Sequence, residues 1–435
     1  MTAAEESIHA ALGSAREMLT ADEADLELVG IDSQVVHLRL LIGSQACADC
    51  ILERSMLEAS LLHGLREADP SIRGVVVDDP RVSRRSSALA AEALEVDAAD
   101  VQELFFEREW TDGLPIVPPT PELVRRFLVA GRVEADSLIG AVRERVIDVS
   151  AEQVAINAVM AGCKPEYAPI VFAGARALTN PDYNANGALT TTGGPSVCMV
   201  VSGPYAAEVG ISSGGNCLGP GNRANATIGR AIRLLALNVI GARAGVADGS
   251  SLGNPGKYTL CFAEANPVEP WPPLRVELGF SEAETTVTIL AAEAPRQVAN
   301  LISGDPEQLV RTMASALRAG HTYIAGKRLG QCFCVFGPEH AAAIRQGGWS
   351  RERVRRRIAE LTRVAETDLL EAGVPIERVG AHAMRPDEDG TYPTFEDPAN
   401  VMIVCAGGSG AGWSACIPAW APANNSSSVT EVVRL

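Results

Sequence analysis

Apolar residues in the first 79 positions follow helical spacing and strand alternation in turn. An amphipathic helical pattern opens the chain, and the apolar runs LELVGID and VVHLRLL then indicate two strands around a turn. A helical pattern that extends to about residue 68 and the run IRGVVV, which indicates a third strand, complete this segment. The pattern therefore predicts an α+β module over residues 1–79 with the order α-β-β-α-β.

Residues 80–100 are rich in serine, alanine and charged side chains, which is typical of a linker. Beyond them, helical patterns alternate with short strand patterns, and two stretches of this body resemble each other. Each begins a helix with a capped Glu-Gln pair and continues as strand, Gly-Pro and short helix, near 148–215 and near 303–351. We therefore predict a larger, duplicated α/β body over 101–435, with a glycine-rich ligand cleft between its halves. The basic block WSRERVRRRIAELTRV is interpreted as a helix with a solvated face.

The segment 203–257 is dense in glycine and asparagine, which tolerate unusual backbone conformations. Its loop SSGGNCLGPG runs directly into a helical pattern whose first turns carry arginine, asparagine and threonine. Free N–H groups at a helix start and an arginine fork both bind anions, so the segment predicts a site for a small anionic or polar molecule. The alternative is a surface loop and a buried helix that bind no ligand. The predicted substrate-binding residues are Asn216, Cys217, Arg223, Asn225, Thr227, Arg230 and Lys257.

A second group of reactive side chains lies in the sequence GCKPEY, at a turn between two apolar helical patterns. A thiol, an ammonium group, a carboxylate and a phenol lie close together there, and they can serve as a nucleophile with acid and base partners. We therefore predict catalytic roles for Cys163, Lys164, Glu166 and Tyr167. The first three are expected to lie in one site with Arg223, Asn225, Arg230 and Lys257. The alternative is a turn whose charges face water and whose cysteine is buried.

Composition narrows the class of protein. The chain has 435 residues and a formal net charge of −17, so it lacks the basic surface that nucleic acids and anionic membranes require. It has no apolar run long enough for a membrane span, and its acidic N-terminal segment is unlike a signal peptide, so we expect a cytoplasmic protein. In that compartment its ten cysteines are expected to be thiols or metal ligands.

Cys47 and Cys50 have C-x-x-C spacing directly after the second predicted strand. The pair fits half of a metal site, a redox dithiol or a chance spacing. A complete zinc or iron–sulfur site needs two further ligands, which a second copy of the chain would supply most simply. A metal centre at this pair would therefore lie between two chains of a homo-oligomer.

Three features around this pair are similar to a known domain: the run DEADLELV, the strand VVHLRLL, and the loop ACADC with its following helix and the ending PSIRGVVV. They resemble the C-terminal domain of NifU-type iron–sulfur scaffold proteins. The resemblance implies that Cys47 and Cys50 hold an iron–sulfur cluster between two subunits. The chain departs from the family where Glu23 and Ala24 replace a glycine pair. The residues that replace the family's glycine and proline beside the cysteines are Ala48, Asp49 and Ile51.

Four motifs of the body, WTDGLPIVPPT, AGCKPEY, GPGNRANATIGRA and NPGKY, resemble the signatures of an uncharacterised bacterial family. That family is associated with small proteins that carry a selenocysteine or cysteine Gly-Ser-Cys motif, so the resemblance implies thiol chemistry and such a protein as partner. We therefore predict an enzyme of sulfur, thiol or redox chemistry, of the sulfur-transfer, lyase or redox type, that acts on a small anionic or polar substrate. The alternative is an iron–sulfur scaffold or carrier without catalysis of its own.

Anaerobic reconstitution of the full chain with iron and sulfide should give the visible absorption of a thiolate-bound cluster, because Cys47 and Cys50 supply its ligands. The double variant Cys47→Ser, Cys50→Ser should lose the absorption and the bound iron together, whereas Cys163→Ser should keep both. A cluster that survives the double substitution would show that these cysteines are not its ligands.

Overall fold

The structure, a computed structural model, describes residues 11–20, 24–32, 34–43, 54–69, 71–78, 96–97, 100–265, 271–320, 330–371, 373, 386–410 and 412–435. The chain divides into two compact units, Met1–Val96 and Asp97–Leu435. Within the described ranges, no helix is long and apolar enough to cross a membrane. Both helices and strands occur in each unit, as expected for the α/β class.

The N-terminal unit has the predicted order of elements. These are α1 (Gly13–Thr20), β1 (Ala24–Asp32), β2 (Val35–Ile42), α2 (Arg54–Ala68) and β3 (Gly74–Asp78). Strand β2 lies in the centre of the sheet, antiparallel to β1 and parallel to β3. Alternate residues such as Leu38 and Leu40 point into one apolar core with leucines of α2. Cys47 and Cys50 lie outside the described residues.

The second unit, which we call the body, has the following elements. Its helices are α3 (Val101–Glu107), α4 (Pro121–Gly131), α5 (Ala151–Ala161), α6 (Ala168–Thr179), α7 (Ala185–Thr190), α8 (Pro204–Glu208), α9 (Arg223–Asn238), α10 (Leu274–Glu277), α11 (Pro306–Gly320), α12 (Pro338–Gln346), α13 (Arg351–Leu361) and α14 (Glu366–Glu371). Its strands are β4 (Leu138–Val142), β5 (Ile147–Ser150), β6 (Ser196–Ser202), β7 (Cys261–Ala263), β8 (Thr286–Ala292), β9 (Arg296–Ala299), β10 (Cys332–Phe336), β11 (Val364–Ala365), β12 (Thr391–Tyr392), β13 (Val401–Cys405), β14 (Trp413–Pro418) and β15 (Val429–Val432).

Several helix starts follow from the local sequence. The hydroxyl of Thr120 accepts a hydrogen bond at the start of α4, where proline occupies the first helical position. Ser150 and Gln153 form the reciprocal hydrogen bonds of a capping box at the start of α5, as their spacing predicts. Asn222 caps α9, so the glycine-rich loop does lead directly into a helix.

Two four-stranded sheets organise the body, with the strand orders β7-β6-β8-β15 and β13-β10-β14-β9. In each sheet a central strand, β6 or β10, has a parallel neighbour on one side and an antiparallel neighbour on the other. The antiparallel neighbour then pairs with an edge strand that comes from the other part of the chain. The two sheets thus share one arrangement, while the duplication itself stays a prediction.

The sheets pack face to face between two layers of helices. Along β6, Met199 and Val201 lie in the core under α5, α6 and α9, whereas Val200 lies in the core between the sheets. Along β10, Cys332 and Cys334 face the core under α11 and α13, and Phe333 faces the other sheet. Cys332 and Cys334 are fully buried on one face of their strand. The body is therefore a four-layer sandwich of helices, sheet, sheet and helices.

The carboxyl ends of the two parallel strand pairs meet. After β7, the amide of Ala265 donates to the carbonyl of Cys405 at 2.7 Å, and the amide of Gly407 donates to Ser213 O at 2.8 Å. Two glycine-rich loops, 212–221 and 406–410, come into contact at this place. A methyl group at Gly408 would lie only 2.6 Å from Gly215 Cα. Open α/β sheets bind ligands at such strand ends, so these loops position the candidate site.

Gly408→Ala should lower the free energy of unfolding by about 1–3 kcal/mol, because the added methyl group would overlap the backbone of Gly215. Gly410→Ala is the matched control, since a methyl group there would meet nothing within 4 Å. Urea denaturation of both variants measures the difference. Equal stabilities would mean that the two loops do not press against each other.

Candidate functional site

Asn225 holds the glycine-rich loop against the start of α9. It is 3% exposed. Its side-chain amide donates to Ser212 O and Cys217 O, both at 3.0 Å, and its carbonyl oxygen accepts from the amide of Ser212 at 2.8 Å. Both donor hydrogens and the acceptor are thus occupied by the protein. Asn225, predicted to bind substrate, shapes the loop instead of facing a ligand.

The turn 162–167 lies against the start of α9. Arg223 donates from Nε and Nη2 to the carbonyl of Gly162, at 3.1 and 2.9 Å. The thiol of Cys163 donates to Thr227 O at 3.2 Å, and the hydroxyl of Tyr205 donates to Glu166 O at 2.9 Å. The structure therefore brings together two of the sequence-predicted groups, the turn and the first turns of α9. We call this exposed region, formed by the turn and the start of α9, the Arg223 site.

Two arginines of α9 differ in their partners. Arg230 donates to both carboxylate oxygens of Asp112, at 2.8 and 2.7 Å, and the two side chains are only 14% and 8% exposed. Arg223 is exposed, and within the described residues its guanidinium bonds to the Gly162 carbonyl and to no carboxylate. The charge of Arg230 is compensated, so this predicted ligand contact is a structural ion pair. The charge of Arg223 remains available to an anion.

Cys163 is in an environment that favours the neutral thiol. Burial raises its pKa to about 12, and the hydrogen bond to Thr227 and the charges of Arg223 and Arg230 offset only part of that shift. Burial also raises the pKa of Cys217, which lies in the glycine-rich loop. Every cysteine that the structure describes is free and buried. A nucleophilic thiolate needs a lowered pKa, so the described thiols do not favour the predicted thiol chemistry.

The other predicted residues of the Arg223 site differ in accessibility. Lys164 and Glu166 form an ion pair of 3.4 Å and are 46% and 49% exposed. Tyr167 is buried, and burial raises its pKa. Asn216 is exposed, adopts a left-handed conformation with φ of 59° and donates to Pro220 O at 2.6 Å, so it fixes the loop. Lys164 and Glu166 are thus the two predicted catalytic side chains that solvent reaches.

Lys257 lies in a separate polar cluster. Its ammonium group donates to Asp248 Oδ2 at 2.5 Å and to Ser250 Oγ at 2.7 Å. Arg233 also donates to Asp248 Oδ2, at 3.0 Å. None of these hydrogen bonds reaches Arg223, so the structure does not bring Lys257 to the predicted cleft. The run ADGSSLGNPGK contains the aspartate, serine and lysine of this cluster, but only the lysine was predicted to be a site residue.

A buried charge network joins the two sheets near their carboxyl ends. Arg351 is 4% exposed and donates to Glu264 at 3.3 Å and to Glu277 at 2.9 Å. The hydroxyl of Ser202 donates to Glu264 at 2.5 Å, and Arg275 donates to Ser202 Oγ at 3.2 Å. The interpretation of the basic block as a solvated helix is therefore wrong for the face of α13 that carries Arg351. The carboxylate partners of Arg351 are far away in the sequence, so the local charge pattern could not predict that this arginine is buried.

Compared with known proteins, the chain matches no protein-family model and no curated protein sequence. The resemblances of the N-terminal unit and of the body therefore stay predictions. The function of the body is therefore inferred from its geometry.

Asp112→Ala should lower the free energy of unfolding by about 3 kcal/mol, because it leaves the largely buried guanidinium of Arg230 without its carboxylate. Glu166→Ala breaks an exposed ion pair and should cost less than about 1 kcal/mol. Urea denaturation of the two variants makes the comparison. A small effect at Asp112 would mean that water replaces the carboxylate readily.

Proposed function

We propose that the body is an enzyme that binds a small anionic molecule at the Arg223 site. The observation that carries the proposal is the exposed guanidinium of Arg223, which has no carboxylate partner among the described residues. Its two hydrogen bonds to Gly162 O hold the group beside the turn 162–167. An arginine that is positioned but not neutralised is typical of anion recognition.

The start of α9 adds to the attraction. The side chain of Asn222 accepts from the amide of Asn225 at 3.0 Å, and the helix dipole places about half a positive charge at this end of α9. That end contributes about 0.3–1 kcal/mol to the binding of an exposed anion. Hydrogen bonds from a charged arginine contribute about 1.5–3 kcal/mol. Because 1.4 kcal/mol corresponds to a tenfold change in affinity, Arg223 alone should account for at least about a factor of ten.

The accessible groups beside Arg223 fit proton transfer better than attack by a thiolate. Lys164 and Glu166 lie on the same turn as the carbonyl that binds Arg223, and both are about half exposed. A carboxylate and an ammonium group beside a bound anion can act as general base and general acid. Cys163 lies beneath this surface as a neutral thiol. The sulfur chemistry predicted from the sequence would therefore depend on the substrate's sulfur, as in a small sulfur oxyanion.

Isothermal titration with sulfate, phosphate and thiosulfate tests the proposal. We expect the wild-type protein to bind at least one of these anions, and Arg223→Ala to weaken that binding at least about tenfold. Arg126→Ala, which removes an exposed arginine from α4, is the matched control for net charge and should bind as the wild type does.

Two results would contradict the proposal: no binding of any of the three anions to the wild type, or equal weakening by the two arginine substitutions. Glu166→Gln should leave the anion affinity within about twofold, because the proposed role of this carboxylate is proton transfer and not binding.

A further inference from the structure

Asp248 is the centre of the polar cluster that contains Lys257. It is 4% exposed and accepts hydrogen bonds from Arg233, from Lys257 and from the amide of Ser250 at 3.2 Å. The hydroxyl of Ser250 donates to the same carboxylate. That hydroxyl also accepts from Lys257 at 2.7 Å, so serine, lysine and aspartate contact one another directly.

The cluster is held by a second loop. The amides of Gly249 and Ser251 donate to Thr190 O and Thr192 O, at 3.3 and 3.0 Å. Gly194 has φ of +65°, and a methyl group there would lie 2.9 Å from Ser250 Oγ. Only glycine therefore allows the backbone to come so close to the serine.

Lys257 and Arg233 also line a small cavity of about 10 Å³, room for about one water molecule, with Pro195, Val197 and Gly229 at the amino end of β6. Ser250 itself is half-buried, whereas the side chains of Asp248 and Lys257 are 4% and 15% exposed. The Arg223 site lies beyond the opposite end of the sheet, where the glycine-rich loop follows β6. The two sites are therefore separate.

We infer that Ser250 is a catalytic nucleophile, that Lys257 is its base and that Asp248 positions both, in a second active site for small esters or amides. A nucleophile within hydrogen-bond distance of a base, with a third group that orients them, is the arrangement of serine hydrolases, and lysine replaces histidine in some of them. The inference goes beyond the proposed anion site and does not depend on it.

The charges of the cluster explain how lysine can act as a base. Asp248 is one carboxylate shared by two cations, and an arginine does not lose its proton in proteins. Burial disfavours the ionised form of Asp248, yet the hydrogen bonds from Lys257 and Ser250 outweigh this and hold its pKa at about 2. Burial lowers the pKa of Lys257, and with the charge of Arg233 it outweighs the hydrogen bond and the charge of Asp248, which raise that pKa. Lys257 is therefore the cation that can become neutral.

The reaction balances with water as the second reactant. Ser250 Oγ forms a bond to the acyl carbon, its proton passes to the neutral Lys257 Nζ, and the bond from the acyl carbon to the leaving group breaks. The leaving group takes the proton from Lys257. Water then attacks the acyl-serine, gives a proton to Lys257, and the acid leaves as that proton returns to Ser250 Oγ.

Diisopropyl fluorophosphate, which phosphorylates activated serines, tests the inference on the full chain. Intact mass and peptide mapping should give one adduct, on Ser250. Ser251 is the internal control, because it is an exposed serine next to Ser250 and has neither Lys257 nor Asp248 as side-chain partner among the described residues. An adduct on Ser251 instead, or none at all, would overturn the inference.

Lys257→Arg separates catalysis from structure, because arginine keeps the positive charge beside Asp248 but cannot accept the proton. We expect labelling of Ser250 to slow at least about a hundredfold while the melting temperature stays close to that of the wild type. Labelling at the wild-type rate would overturn the role of Lys257. Arg126→Ala, which removes an exposed arginine that belongs to neither site, should label at the wild-type rate. Anion titration does not enter this test, so failure of this inference leaves the anion site to its own test.

Discussion

The body depends on central strands that are apolar on both faces. Every residue of β6 and β10 is buried, so each sheet must be covered on both sides. The inner faces cover each other, and the outer faces are covered by α5, α6 and α9 on one side and by α11 and α13 on the other. Because the faces are occupied by packing, chemistry is confined to the ends of the strands.

Charged side chains at these strand ends either have an oppositely charged partner within the protein or have none among the described residues. Glu264 and Arg351 form an ion pair inside the core, and burial raises the pKa of Glu264. Breaking such a pair would leave an isolated charge in an apolar environment, which explains why it serves structure. Arg223 has no such partner among the described residues, and Ser250 lies half-buried beside a lysine. The difference between compensated and open charges therefore separates structural residues from candidate functional ones.

Local features of the fold were predictable from the sequence, because they depend on residues a few positions apart. Three examples are the capping box of Ser150 and Gln153, the order of elements in the N-terminal unit, and the glycine-rich loop that leads into α9. The grouping of Arg223 with the turn 162–167 was predicted as well, since both were assigned to one site.

Partners that are distant in the sequence were not predictable. Arg230 and Asp112 are 118 residues apart, and Arg351 and Glu264 are 87 apart. A charge pattern identifies an arginine but not the carboxylate that folding brings to it. Lys257 was assigned to the same site as Arg223 because both lie near the glycine loop in sequence, whereas the length of α9 and the sheet separates them. The burial of Cys163 was one of two alternatives that the sequence left open, and tertiary packing decides between them.

The exchange of edge strands has a consequence for how the protein is made. Strand β8 cannot pair with β15 until β15 has been synthesised. Their hydrogen-bonded side chains Thr288 and Thr430 are 142 residues apart in the chain. During synthesis, the first sheet therefore remains with an open edge while the whole second sheet is translated. Pairings between such distant segments form slowly, and an unpaired edge is prone to aggregation. A nascent chain that stops before β15 would expose this edge, so we expect chaperones to protect it during synthesis.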